Sequence, residues 1–241
     1  MTGPATEYAL ALLHSPLTSA SAWGRLPALL RGQGFDVVVP EVTDDDRPSY
    51  SGRYVAHSAL HLRSQLGDRG CVLVGHSGAG PLLPQVAFAR RAAGAMVDGY
   101  VFVDAGLPRT MHTASRLDLM ASEDPELADW LRGHLEAGGR FPAWTDAELE
   151  SQIPDDAGRA ALLTGLRPRG LDYFTEELPL PEDWPDAPAA YVQLSASYSV
   201  PARTAQLRGW PVVHRDLGHF AALSQPEEVA AAIVEVLSVD A

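Results

Sequence analysis

One short segment, Cys71-Val72-Leu73-Val74-Gly75-His76-Ser77-Gly78-Ala79, constrains this chain more than any other. Four consecutive apolar residues read as a strand buried on both faces, and the stretch from about Gly80 to Ala93 reads as a helix. Glycines at 75 and 78 allow the connection to be a sharp, strained turn. Such a turn lifts the Ser77 hydroxyl above the carboxyl end of a sheet and sets it at the start of a helix, whose dipole favours a developing oxyanion.

The turn belongs to a longer alternation of short β-rich runs with segments of helical period, the pattern of a parallel sheet covered by helices on both faces. Strands are expected at Tyr8–Leu13, Asp36–Val39, Cys71–Val74, Tyr100–Val103, Ala190–Leu194 and Pro211–His214. Helices are expected at Ala22–Gln33, Tyr50–Leu66, Gly80–Ala93 and Pro226–Leu237, with Ser224-Gln225-Pro226-Glu227 as the start signal of the last one. From Leu107 to about Asp186 the alternation stops, giving way to helical pieces separated by Gly138-Gly139 and Pro154. Two helix starts are legible there, Asp124-Pro125 and Thr145-Asp146-Ala147-Glu148. Residues 1–106 and 187–241 are therefore expected to form one α/β core, with 107–186 inserted as a helical cap.

Charge and cysteine content narrow the partners. With 31 acidic against 18 basic residues, the net charge of −13 repels phosphate backbones and anionic lipid headgroups, which disfavours nucleic acid and membrane surfaces. A single cysteine, Cys71, excludes an intrachain disulfide and a cysteine metal cluster. Met1–Glu7 has no basic residue before a short apolar run, so no export signal is read, and no apolar run reaches membrane length. A cytoplasmic protein acting on a small molecule is expected, its oligomeric state open, with a homodimer as one alternative. His57 and His61 are four apart on an expected helix, but neither a glutamate nor a further ligand accompanies them, so no metal and no cofactor is expected. Asp44-Asp45-Asp46 reads as a solvated charge run.

A serine becomes a useful nucleophile only when a neighbouring base takes its proton. His219, after Gly218 and beyond the last expected strand, is the candidate base. These residues resemble the α/β-hydrolase superfamily over nearly the whole chain. The resemblance is carried by His14-Ser15-Pro16 after the first strand, Gly75–Ala79 as a Gly-x-Ser-x-Gly elbow with alanine at its last position, Val103-Asp104-Ala105, and Gly218-His219-Phe220 followed by Leu223–Glu227. It implies an α/β-hydrolase fold with an inserted helical cap and a Ser77, acid, His219 order along the chain. It also implies an oxyanion hole built from the Gly78 amide and an amide of the loop after the first strand, Ser15 or Leu17, because Pro16 has no N–H to give.

The acid departs from the pattern. Family members most often carry it after the strand read here as Ala190–Leu194, where this chain has Ser195-Ala196-Ser197-Tyr198-Ser199-Val200-Pro201 and no carboxylate. Asp104, at the end of the strand after the elbow helix, is the candidate replacement, with Asp216 the lesser one. The inserted segment supplies Trp130, Phe141, Trp144, Tyr173, Phe174 and Trp184, enough aromatic surface to roof an apolar pocket. His14, His76, Trp130 and Trp144 are the expected pocket residues. Three functions fit these signals. The first is hydrolysis of an apolar carboxylic ester, lactone or thioester by a Ser-His-Asp mechanism. The second is proton-transfer chemistry of a lyase, cyclase or isomerase in the same pocket, and the third is ligand binding without catalysis.

Overall fold

The computed structural model describes residues 8–43, 46–109, 113–178 and 183–238, so Met1–Glu7, Asp44 and Asp45 of the features above lie outside it. The first half builds β1 (Ala9–Leu13), α1 (Leu26–Gly32), β2 (Asp36–Val38), α2 (Tyr50–Leu66), β3 (Cys71–Ser77), α3 (Leu83–Ala92) and β4 (Gly99–Ala105). Then come β5 (Ala114–Ser115), α4 (Arg116–Glu123), α5 (Pro125–Glu136), α6 (Asp146–Leu149), α7 (Asp156–Thr164), α8 (Leu171–Thr175) and β6 (Glu177–Leu178). The chain closes with β7 (Ala189–Gln193), α9 (Ser199–Leu207), β8 (Val212–His214), α10 (Ala221–Ser224) and α11 (Pro226–Ser238).

Six strands form one sheet in the order β2-β1-β3-β4-β7-β8, every ladder parallel. Alternate residues of each strand face opposite layers. Leu10, Leu12, Val72, Val74, Val101 and Val103 pack under α1 and α11, against Leu26, Leu30, Val229 and Ile233. Ala11, Leu13, Leu73, Tyr100 and Phe102 pack under α2, α3 and α9, against Leu62, Leu83, Val86 and Ala205. From β1 the chain runs outward to β2 and then returns to β3 on the other side of β1. This places the reversal of strand order at the carboxyl ends of β1 and β3, where open α/β sheets form their ligand crevice.

Several expected boundaries shift for identifiable reasons. α2 spans the expected residues because Ser49 caps its start by accepting the Gly52 amide and Gly67, at φ 58°, ends it. The expected helix at Ala22–Gln33 is a 3-10 turn at Ala20–Trp23 followed by α1, separated by Gly24 at φ 48°. Ser224 does not stand free as a cap; it is the last residue of α10, and Gln225 precedes Pro226. Helix α9 begins within the loop expected at Ser195–Pro201 and continues through residues for which no element was expected, and Pro201 is accommodated in its first turn, where no intrahelical N–H bond is required.

The segment between β4 and β7 packs a core of its own from Leu117, Leu131, Leu135, Tyr173 and Phe174, joined by Tyr50 of α2. Polar groups tie it to the sheet half. Arg116, which is buried, donates to Tyr173 O, Glu176 and Ser51 Oγ, while Tyr50 donates to Asp172 at 2.6 Å. Asp46 is not merely solvated: it takes ion pairs from Arg169 at 2.6 Å and from Arg140.

Candidate active site

Ser77 ends β3 at φ 56°, a left-handed conformation that costs a non-glycine residue on the order of 1–3 kcal/mol. The strain thus sits on the serine itself, and the neighbouring glycines serve close approach. A Cβ on Gly78 would lie 3.0 Å from Ser15 Oγ, and one on Gly80 would lie 2.2 Å from the Gly106 carbonyl. The loop after β1 and the turn after β4 can therefore close directly on the elbow. A 3-10 turn at Gly80–Leu82 leads from it into α3.

Asp104 occupies a comparable position one strand away. Opposite β3, His76 pairs with Val103 and Ser77 with Ala105, so Asp104 is the extra residue of a bulge, at φ 44°. A bulge turns a side chain away from the direction the pleat would give it. The displaced backbone of Ala105 is satisfied by the Tyr191 hydroxyl, which accepts from its N–H at 3.1 Å and donates to its carbonyl at 2.8 Å. The freed carboxylate reaches the end of β7. Its Oδ1 accepts from the amides of Leu194 at 2.8 Å and Ser195 at 2.9 Å, and its Oδ2 accepts from Ser195 Oγ at 2.7 Å and His219 Nδ1 at 2.8 Å. Burial alone pushes the Asp104 carboxyl upward, but these bonds outweigh it and hold the group below the usual carboxylate range. A fully buried, ionised carboxylate can only accept, so His219 donates to it from Nδ1, which leaves Nε2 on the side of the ring away from Asp104.

His219 is clamped by rings. His76 stacks on it with centroids 4.5 Å apart, Tyr198 stacks at 5.0 Å and 9°, and Phe220 meets it edge-on at 5.1 Å. His76 donates from Nε2 to the His219 carbonyl at 2.9 Å; burial, then the neighbouring His219, lower its pKa to about 3, so it is a neutral spacer. The Ser77 hydroxyl lies 3.3 Å from the Tyr198 hydroxyl. Among the described residues no hydrogen bond joins Ser77 to His219; Tyr198 touches both, one through its hydroxyl and the other through its ring.

Three expected site residues thus converge: Ser77, His219 and Asp104. Asp216 is exposed and makes no bond to the histidine. Ser15 is buried and reaches the elbow, and the Leu17 amide donates to Ser15 Oγ at 3.3 Å. His14 is fully buried, donating from Nδ1 to Ser15 O and accepting the Val42 amide on Nε2; it braces the loop from behind. Trp144 packs edge-on against Phe220, next to His219, at 5.2 Å. Trp130 is 57% exposed on α5, stacks on His134 and meets Phe141 edge-on, and Phe141 in turn meets Trp144. His57 is exposed and His61 half-exposed on α2. Among the described residues no group of three or more His, Cys, Asp or Glu side chains is gathered as a metal ligand set. Ser195 and Tyr198 were not singled out from sequence; their only signal is membership of the loop that lacks the expected carboxylate.

An all-parallel sheet with a strained serine at its switch point and an Asp–His pair beside it defines an α/β-hydrolase-fold protein. The chain belongs to the alpha/beta hydrolase family, whose family model matches residues 10–232. It is similar in structure to an extracellular α/β-hydrolase from a Paenibacillus species that shares structural and functional homology with tobacco salicylic acid binding protein 2. That likeness has a TM-score of 0.74 at 17% identity, covering 95% of this chain and 98% of that one. It is similar also to tomato methylketone synthase I in complex with 2-tridecanone, with a TM-score of 0.69 at 14% identity and 97% and 98% coverage. A pyrethroid hydrolase from Sphingobium faniae JZ-2 aligns with a TM-score of 0.66 at 17% identity and 95% and 96% coverage. At these identities the likeness is one of fold. A comparison with curated proteins returns no match. No helix among the described residues is long and apolar enough to cross a membrane.

Proposed function

We propose that this protein is a serine hydrolase of a carboxylic ester, lactone or thioester of an apolar small molecule, working in the cytoplasm without a cofactor. One observation carries the reading: His219 Nδ1 is held at 2.8 Å by a buried carboxylate that three other donors keep ionised, beside a serine in a strained elbow. Ser77 Oγ attacks the carbonyl carbon as its proton passes to His219 Nε2, and Asp104 stabilises the imidazolium. His219 then returns the proton to the departing alkoxide or thiolate. It next takes a proton from water, whose oxygen attacks the acyl carbon, and gives that proton to Ser77 Oγ as the bond between Oγ and the acyl carbon breaks and the acid leaves. The Gly78 amide and a donor at Ser15 or Leu17 face the tetrahedral oxyanion. The lone thiol, Cys71, is buried and its pKa is pushed up to about 11, which makes it an inert core residue. An esterase and a pyrethroid hydrolase among the proteins of similar fold put ester substrates first for assay. Wild-type protein should turn over p-nitrophenyl butyrate and Ser77→Ala should not; equal turnover by the two would remove the reading.

A second reading has its own support. Ser77 bonds to Tyr198 rather than to His219, and the Leu17 amide already has an acceptor in Ser15 Oγ, an arrangement suited to a proton-transfer enzyme that forms no acyl intermediate. Rapid mixing with p-nitrophenyl esters followed by intact-mass measurement separates the two. An acyl adduct on Ser77 supports hydrolysis, and activity without any adduct supports proton transfer.

A further inference from the structure

The loop after β7, where a carboxylate is lacking, touches all three groups of the proposed reaction. Ser195 gives Asp104 its amide at 2.9 Å and its hydroxyl at 2.7 Å, and a turn closed by the Tyr198 amide on Ser195 O at 3.3 Å brings Tyr198 back over the site. The Tyr198 ring stacks on the His219 imidazole at an interplanar angle of 9° with centroids 5.0 Å apart, and its hydroxyl ends 3.3 Å from Ser77 Oγ. Tied to Asp104 through Ser195 and stacked on His219, the phenol cannot swing away from Ser77 without giving up the ring contact. Among the described residues Ser77 is the one hydrogen-bond partner of that hydroxyl. Desolvation raises the pKa of the phenol, and the Asp104 charge adds to this, so the group keeps its proton at neutral pH.

Once the serine proton is committed to His219, a phenol that keeps its own proton can only donate to Oγ. The value of that bond differs between the two halves of an acyl-transfer cycle. In the free enzyme Oγ is a hydroxyl oxygen that already accepts the bond, so attack gains little from it. In the acyl-enzyme Oγ is an ester oxygen, a poor acceptor, and the bond strengthens as the electron pair returns to Oγ. We infer that Tyr198 is a further catalytic residue, whose hydroxyl donates to Ser77 Oγ while Oγ departs from the acyl carbon. The inference rests on the hydrolase reading of Ser77. Water adds to the acyl carbon as its proton passes to His219 Nε2. The bond between that carbon and Oγ then breaks with its electron pair on Oγ, the proton passes from His219 to Oγ, and Tyr198 holds its own proton throughout.

Tyr198→Phe keeps the ring and removes only the hydroxyl. Wild type and variant are mixed rapidly with p-nitrophenyl butyrate and quenched in acid, and decay of the butyryl adduct on Ser77 is followed by intact mass. Phosphonylation of Ser77 by a fluorophosphonate, measured in parallel, reports attack alone. The variant should lose its adduct about tenfold more slowly and phosphonylate at about the wild-type rate or faster, with the melting temperature little changed. Equal adduct lifetimes in the two proteins would overturn the assignment, as would an equal fractional fall in both rates, which is what a merely structural contact gives. Either result counts against Tyr198 alone. Ester turnover by the wild type with no adduct on Ser77 would remove the hydrolase reading and this assignment with it.

Discussion

The two halves of the molecule are held together by different forces. The sheet half is a stack of fully buried apolar strands, and among the described residues Asp104 is its one fully buried acid. The segment between β4 and β7 instead relies on buried arginines: Arg116 against Glu176 and Ser51, Arg159 against Asp146 and Asp156, and Arg169 against Asp46. Close-packed strands hold a reacting constellation to fractions of an ångström, whereas charge-bonded helices are easier to displace and to vary. The groups of the proposed reaction accordingly lie on the sheet half, Ser77 and Asp104 at the ends of β3 and β4 and His219 in the turn after β8.

The largest effect should come from the sheet half. Ser77→Ala and His219→Ala are each expected to lower kcat/KM on p-nitrophenyl esters by about 10⁴-fold or more, with the melting temperature little changed. A mutation in the helical segment should act the other way round. Arg116→Met leaves Glu176 half-buried without its cation, so about 3 kcal/mol of stability should be lost. Hydrogen exchange should then show α4 and α8 opening while β3 and β4 stay protected; uniform loss of protection would mean that the halves are one cooperative unit.

Asp104 offers a sharper test, because it is catalytic in the proposed reaction and also structural. Its folded pKa is lowered, so its contribution to stability is present above about pH 4 and is lost as pH falls through the folded value. Asp104→Asn should cost about 2 kcal/mol at neutral pH and flatten the acid limb of the melting-temperature profile. Glu123, the last residue of α4, should show the opposite sign and the smallest effect. Burial, only partly offset by Arg109, raises its pKa to about 7, so ionisation destabilises the fold as pH rises from about 4 through 7, and Glu123→Gln should raise the melting temperature at about pH 8 by about 2 °C with no gain near pH 4.

The sequence carried the local signals and missed the long-range ones. Ser49 and Gly67 delimit α2, Thr145 and Glu148 form the expected capping box, and Asp124 with Pro125 starts α5, because each of these depends on neighbours within one turn. Strands β3 and β4 run past their apolar runs to Ser77 and Ala105, since polar residues there are paired by the sheet rather than by local preference. The elbow and His219 were readable as motif and spacing. The bulge that aims Asp104, the Tyr198 ring on His219 and the placement of Glu123 over Gly106 join residues about 15 to 115 positions apart, which no single-chain periodicity records.

The claim at the centre of this structure is that Asp104, moved to the strand after the elbow helix, arms His219 and thereby Ser77. The rate of Ser77 phosphonylation by a fluorophosphonate, followed by intact mass in wild type and Asp104→Asn at about pH 7, tests it most directly. Labelling confined to Ser77 and slowed by about 100-fold or more in the variant is the predicted result. Labelling at the wild-type rate in Asp104→Asn, or none at Ser77 in either protein, would contradict it.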